Sequence, residues 1–398
     1  MPSEEMRLMG LEGKLGPDYQ LPALSVVAMR LVELASDDTK SASELASWIE
    51  KDPSLASRVI KMANSAYFAS TRPVSTLKEA IVRIGFDRLR MIALSISLRD
   101  TFPMARIGPL NCELFWKISL YRAIIGRELA KKLGSVEPEE AFLAGLIMEV
   151  GLLVLVDVFL KSKRDMPELN ILRFNELISY ENEAFGINHR DIGEFLLIRW
   201  KFPAHIVETQ KVGLPGTDVG TYSELQRVSH MAMVLSRLPM EEGGLFERPY
   251  DELGLAFGLE PQVVDEVLLE SIYQVEGVAE AMRIQMNTEK DILGIMEKAN
   301  RTLIRISERL ISGGRACEEL PTLDTLKASP NVDRRFLDAI AHEIRNPLLA
   351  VGGFAKRLAR SLDPDTKGAQ YATVLVKEAE RLERLLVELN ELAQGKGD

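Results

Sequence analysis

FLDAIAHEIRNPLLAVGGFAKRL, residues Phe336 to Leu358, sets Leu337, Ile340 or Ala341, Ile344, Leu348, Val351, Ala355 and Leu358 at three- and four-residue spacing, the stripe of an amphipathic helix. The stripe continues to Leu362, Asp363-Pro-Asp365 and Gly368 break it, and Leu375, Leu382, Leu385, Leu389 and Leu392 make a second one. The segment is a helical hairpin. Two narrow stripes with few aromatics cannot close a core within about 60 residues, so two hairpins are expected to pair into a four-helix bundle, making a homodimer.

Helical spacing runs through the rest of the chain, and alternating β-branched runs bounded by Asn-Gly or Asp-Gly turns are missing, so the expected fold class is all-α. One block runs from about Leu21 to Leu98: Leu21-Pro22 is expected to open a helix, Asp37-Asp38 and Asp52-Pro53 punctuate the next ones, and Ser75-Thr-Leu-Lys-Glu79 carries a capping-box pattern. A second block, from about Glu113 to Leu269, is broken by Gly134, by Gly213 to Gly220 and by Glu242-Gly-Gly244. Ile292, Met296, Ala299, Leu303, Ile306 and Leu310 follow a 4-3-4-3-4 spacing, that of a coiled-coil seam, although so short a run also suits a helix packed on the first domain. Ser312-Gly-Gly314 ends it, and Pro321, Ser329 and Pro330 mark an irregular connector. The expected organisation is an N-terminal extension (1–20), a large helical domain (21–270), a connector (271–331), the hairpin (332–394) and a tail (395–398).

At 398 residues with 46% apolar and 27% charged side chains, the chain can bury ordinary cores, and its net charge of −10 with no local basic patch argues against a nucleic-acid partner. Cys112 and Cys317 stand far apart outside any CxxC or Cys/His cluster, which suits a reducing compartment and supports no structural zinc. The N-terminus has no signal-peptide core, and the longest apolar candidate, Ala141 to Leu160, contains Glu149 and Asp157, so the expectation is a cytoplasmic protein with no membrane partner.

His342 is one of four histidines, with Glu343 beside it and Asn346 at i+4 on the same helix face, off the apolar stripe. Such a placement allows phosphoryl acceptance: a neutral imidazole nitrogen attacks a γ-phosphate, a carboxylate takes its proton, and an amide later orients a water. Pro347 removes the hydrogen bond to the Glu343 carbonyl and kinks the helix one turn after the histidine. An exposed His-Glu pair with no role is the plain alternative.

The string from Phe336 to Leu358 closely resembles the H-box of the dimerisation and phosphotransfer domain of sensor histidine kinases, and Glu378 to Ala393 resembles its second helix. The resemblance implies that His342 is the phosphoacceptor, Glu343 its acidic neighbour acting as general base, and Asn346 the residue that positions water for dephosphorylation, with Arg345 and Pro347 matching in support. It implies a response-regulator receiver domain as partner. Such kinases continue into an ATP-binding domain, but this sequence stops at Asp398 and has no P-loop or glycine-rich nucleotide box. The expectation is a truncated chain, or one that binds no cofactor itself and meets ATP and Mg only through a separate kinase domain acting in trans.

The first block resembles HDOD domains, the non-catalytic relatives of HD-type metal phosphohydrolases, through Asp52-Pro53, Ala63-Asn64-Ser65, Tyr67, Arg72-Pro73-Val74-Ser75, Ala80-Ile81 and Ile84-Gly85. Phe142 to Gly151 and His189 to Gly193, through Trp200 and Pro203, continue the match. Met148-Glu149 stands where a catalytic His-Asp pair would be, and Ile118 where related sequences often carry His. His189, His205 and His230 lack a second ligand in spacing apart from Asp191, so no metal is expected and His189 reads as a capping or core hydrogen-bonding residue. Trp48, Trp116 and Trp200 read as core anchors. These readings amount to a two-component signalling protein in which an HDOD domain controls His342 in a phosphorelay; a dimeric scaffold and a residual metal phosphohydrolase are the alternatives.

Overall fold

The computed structural model describes residues 4–286, apart from 17–18, 35–41, 66–67, 69–72, 103–106, 162–167, 239 and 241–257, together with residues 356, 373, 376–377, 380 and 384. Among the described residues the chain is helical, and its one pairing of extended backbone is an isolated bridge between Ile107 and Leu110. The all-α expectation is met. The chain divides into two compact units, Met1–Arg237 with Tyr250–Met286, and Leu238–Pro249 with Asn287–Asp398.

The first unit contains α1 (Glu4–Leu15), α2 (Val26–Glu33), α3 (Ala42–Glu50), α4 (Pro53–Ala63), α5 (Leu77–Ile84), α6 (Phe86–Asp100) and α7 (Cys112–Leu133). After these come α8 (Pro138–Ile147), α9 (Val150–Leu155), α10 (Phe174–Phe185), α11 (His189–Arg199), α12 (Ala204–Val207), α13 (Glu224–Leu235) and α14 (Pro261–Ala281). Local chemistry sets the helix ends. Asp52 accepts from the Leu55 amide with Pro53 in the first turn, where its missing N–H costs nothing. Gly134 closes α7 in the left-handed conformation at φ 69°.

One expected start is corrected, and the capping box expected within Ser75 to Glu79 is present. The chain does not become helical at Leu21-Pro22; α2 begins at Val26, because Ser25 supplies the side-chain oxygen that caps Ala28 N–H. The segment before it places the Pro22 carbonyl where the Trp200 indole N–H donates to it at 3.1 Å. The capping box of α5 is built on Thr76, which exchanges bonds with Glu79, while Ser75 adds two more bonds to the same carboxylate.

α7 is the central helix, and α8, α13 and α14 pack on it. Its crossing with α8 is close because both faces are small: a Cβ at Gly145 would stand 2.8 Å from the Arg122 carbonyl, and one at Gly126 3.0 Å from the Ala141 carbonyl. The apolar segment Pro138–Leu160 is long enough to cross a membrane, yet 83% of its most apolar stretch is buried inside this unit, which is the behaviour of a core helix. Trp116 is buried and Trp48 and Trp200 half-buried. α14 runs through residue 270, the expected domain edge, and is clamped at its end: Arg58 Nε donates to the Ala281 carbonyl at 2.7 Å while its guanidinium pairs with Asp100.

In the second unit, Lys356, Thr373, Val376, Lys377, Glu380 and Arg384 are helical, and Lys356 Nζ lies 3.0 Å from Glu380 Oε1. One residue from each expected arm of the hairpin thus meets the other. The seam from Ile292 to Leu310, the break at Ser312 to Gly314, the connector, Asp37-Asp38, Glu242 to Gly244, Tyr67 and Arg72 lie outside the described residues.

Candidate functional site

His342, Glu343, Arg345, Asn346 and Pro347 lie outside the described residues. The polar centre that the structure does describe is buried in the first unit, around the position the sequence marks with Met148-Glu149. A two-residue turn between α8 and α9 carries Glu149, the first turn of α11 carries His189 and Arg190, α10 carries Glu181, and α7 carries Arg122. All five side chains are at most 1% exposed.

His189 is held between two carboxylates. Its Nε2 lies 2.7 Å from Glu149 Oε2, its Nδ1 2.6 Å from Glu181 Oε2, and its backbone N–H donates to the same Glu181 oxygen at 2.9 Å. Burial pushes the imidazole pKa down, but Glu181 and the hydrogen bonds to both carboxylates outweigh it and hold it up at about 9, so at neutral pH the ring is an imidazolium donating from both nitrogens. Burial pushes the Glu149 carboxyl up, and Arg190, Arg122 and His189 more than reverse it, to about 2. Arg190 donates through Nη2 to Glu149 Oε1 at 3.0 Å, and its Nε is 2.9 Å from Oε2.

Backbone packing makes this possible. Asn188 and Asp191 form a capping box that starts α11 with His189 as its first residue, so Asp191 serves the helix end and takes no part in the ring's contacts. α9 and α11 approach through Gly151 and Gly193: a Cβ on Gly151 would overlap the His189 carbonyl and stand 2.5 Å from the Gly193 nitrogen. A side chain at Gly151 would force the two helices apart and draw His189 away from Glu149, while one at Gly193 would instead meet the Gln210 side chain.

The expectation that His189 is a capping or core hydrogen-bonding residue matches this geometry. Sequence reasoning missed Glu181 and Arg122. An arginine inside the apolar run Ser119 to Ile125 was the available signal, since a buried charge demands a partner. His205 is exposed beside Glu140, at 3.3 Å, and His230 stands edge-on to Tyr222 with ring centroids 5.7 Å apart. Neither joins His189 as a ligand set. Among the described residues no group of three or more His, Cys, Asp or Glu side chains could hold a metal ion.

Comparison with known proteins assigns both units. Residues 21–212 match the HDOD domain, and residues 333–397 the His Kinase A (phospho-acceptor) domain. The chain carries an HDOD domain followed by a HisKA domain. An HDOD protein of unknown function from Geobacter sulfurreducens has the same fold, with a TM-score of 0.54 at 22% identity over 70% of this chain and 98% of that one. The sensor histidine kinase ZraS of Klebsiella oxytoca is 46% identical over 55 residues, 14% of this chain and 12% of its own. The sensory histidine kinase/phosphatase NtrB of Proteus hauseri is 26% identical over 151 residues, 36% of this chain and 39% of its own. The chain thus covers less than two thirds of these kinases. Glu149, Glu181, His189, Arg190 and Arg122 all fall within the HDOD domain, and His342 within the HisKA domain.

Proposed function

We propose that this chain is a cytoplasmic, homodimeric two-component signalling protein in which the HDOD domain regulates phosphorylation of His342. The observation that carries the reading is the match of residues 333–397 to a phospho-acceptor domain, with His342 in the string Ala341-His-Glu-Ile-Arg-Asn-Pro347. In the proposed step a neutral His342 ring nitrogen attacks the γ-phosphorus of ATP held with Mg by a kinase domain acting in trans. A nitrogen–phosphorus bond forms, the bond to the β-phosphate oxygen breaks, ADP leaves, and Glu343 takes the ring proton. Asn346 then orients the water that removes phosphate from a receiver-domain partner, with Arg345 and Pro347 supporting the helix around it.

The test is to incubate the full chain with labelled ATP, alone and with the ATP-binding domain of a related kinase, beside His342→Gln. Acid-labile, base-stable label that needs the added domain and disappears in the variant is the expected result. Absence of label with a donor domain that phosphorylates its own HisKA partner would leave a dimerising scaffold in its place.

A further inference from the structure

At Arg122 burial and hydrogen bonding are out of balance. The side chain is fully buried, and none of its three guanidinium nitrogens makes a hydrogen bond. Glu149 Oε1 stands 3.5 Å from Nη1, an ion-pair separation, and the guanidinium lies over the Phe174 ring at 5.1 Å from its centroid. An unmet buried donor costs about 1–3 kcal/mol, more for a charged group, and a guanidinium presents five N–H bonds in a planar fork.

Charge is out of balance in the same direction. Arg122, Arg190, Arg237 and the imidazolium of His189 stand against Glu149 and Glu181, and burial together with Arg190 and Arg237 pushes the pKa of the neighbouring His230 down. Burial likewise pushes Arg122 down, to about 10, with Arg190 and Arg237 adding to the effect and Glu149 opposing it. The surroundings are the apolar cluster Met148, Phe174, Val212, Tyr222 and Met233, a medium in which uncompensated charge is costly.

The segment Gly213 to Thr221, whose residues are exposed or half-exposed, packs on this cluster through Val219. Val212, Val219 and Tyr222 turn inward from it, and the Gly213 amide donates to the Tyr222 hydroxyl at 2.8 Å. Beneath it, Met233 receives a 3.3 Å contact from Arg190 Nη2. Through Met233, which Arg190 touches, and Phe174, over which Arg122 lies, the arginines border a cluster that this exposed segment also reaches through Val219.

We propose that Arg122 and Arg190 bind a phosphate-class oxyanion, either free phosphate or the phosphate of a small monoester, admitted past the Gly213–Thr221 loop. A guanidinium with free donors matches a tetrahedral oxyanion in two parallel bonds, and an anion set between Arg122 and Arg190 would meet the donors that Glu149 leaves unmet. This gives the HDOD domain a ligand class of its own. It does not depend on the His342 reading.

The experiment is calorimetric titration of the full chain carrying His342→Gln with inorganic phosphate, with glycerol 3-phosphate, and with chloride at matched ionic strength. Saturable binding of phosphate or the monoester with none of chloride is expected, with a rise in the unfolding midpoint and slower hydrogen exchange in Gly213 to Thr221. Tighter binding of the monoester identifies a larger ligand as the source, and equal or weaker binding identifies free phosphate. Arg122→Met should cut affinity at least tenfold, and its ligand-free unfolding midpoint, measured alongside to establish that the variant is folded, should fall because the change also removes a counter-charge of buried Glu149. Arg122→Lys, which keeps the charge and loses the fork, should weaken binding less. No saturable binding by the folded chain, or affinity unchanged in both variants, would overturn the proposal.

Discussion

His189 Nε2 lies 2.7 Å from Glu149 Oε2, joining the first residue of α11 to the turn before α9 with both side chains buried. The folded imidazole titrates at about 9 against 6.5 ordinarily, so the native state holds a proton that the unfolded chain releases earlier. Its stabilising contribution is complete below about pH 6.5 and is lost as pH rises through about 9, at up to about 1.4 kcal/mol per pH unit. Denaturant midpoints of the full chain should therefore fall between pH 6.5 and 9, and the fall should be absent from His189→Gln. Parallel slopes in the two proteins would refute this role. Glu149 runs the other way: held at about 2 against 4.5, its contribution is present above pH 4.5 and lost as pH falls through about 2.

Glu149→Gln tests the same centre from the carboxylate side. The amide keeps the shape but leaves Arg122, Arg190 and His189 with less opposing charge inside the core, the situation in which breaking a buried pair costs about 3–5 kcal/mol. Urea unfolding of the variant should show a loss of that order. A loss below about 1 kcal/mol would mean that Glu149 contributes little to holding the centre together.

How far the sequence led depends on the range of the interaction. Asp52-Pro53 and Gly134 are local devices, and the structure uses both as helix ends. Pro22 misled because proline is also at home in the first turn of a helix, whereas here the residues before Ser25 are not helical and the Pro22 carbonyl accepts from Trp200, a contact no local pattern encodes. His189 could be read as a polar core residue, but its partners Glu149 and Glu181 come from other elements and meet it only through the close α9–α11 packing. Gly151 and Gly193 look like ordinary helix glycines until the crossing is seen.

Gly151→Ala should be the most damaging of the simple glycine substitutions. Its Cβ would overlap the backbone carbonyl of His189, which cannot rotate away, so α9 and α11 must separate and the His189–Glu149 bond lengthen. Overpacking of this kind costs about 1–3 kcal/mol. Gly134→Ala meets no atom within 4 Å and strains only a left-handed φ of 69°, for about 1 kcal/mol. Thermal midpoints of the two variants check the order, and Gly151→Ala should also shed the alkaline pH dependence described for His189.

Lys356 and Glu380 offer a test of the hairpin. Their 3.0 Å contact joins the two arms at positions that are each 46% exposed, so screening limits the pair to about 0.2–1 kcal/mol. Lys356→Glu puts two carboxylates face to face and should speed amide exchange in both arms by up to about fivefold, since 1.4 kcal/mol corresponds to tenfold. Adding Glu380→Lys restores an opposite pair in the same register and should return the rates to those of the parent. Exchange that stays fast in the double variant would show that the arms meet in another register, and raising the salt concentration should shrink the effect of the single change because the charges face water.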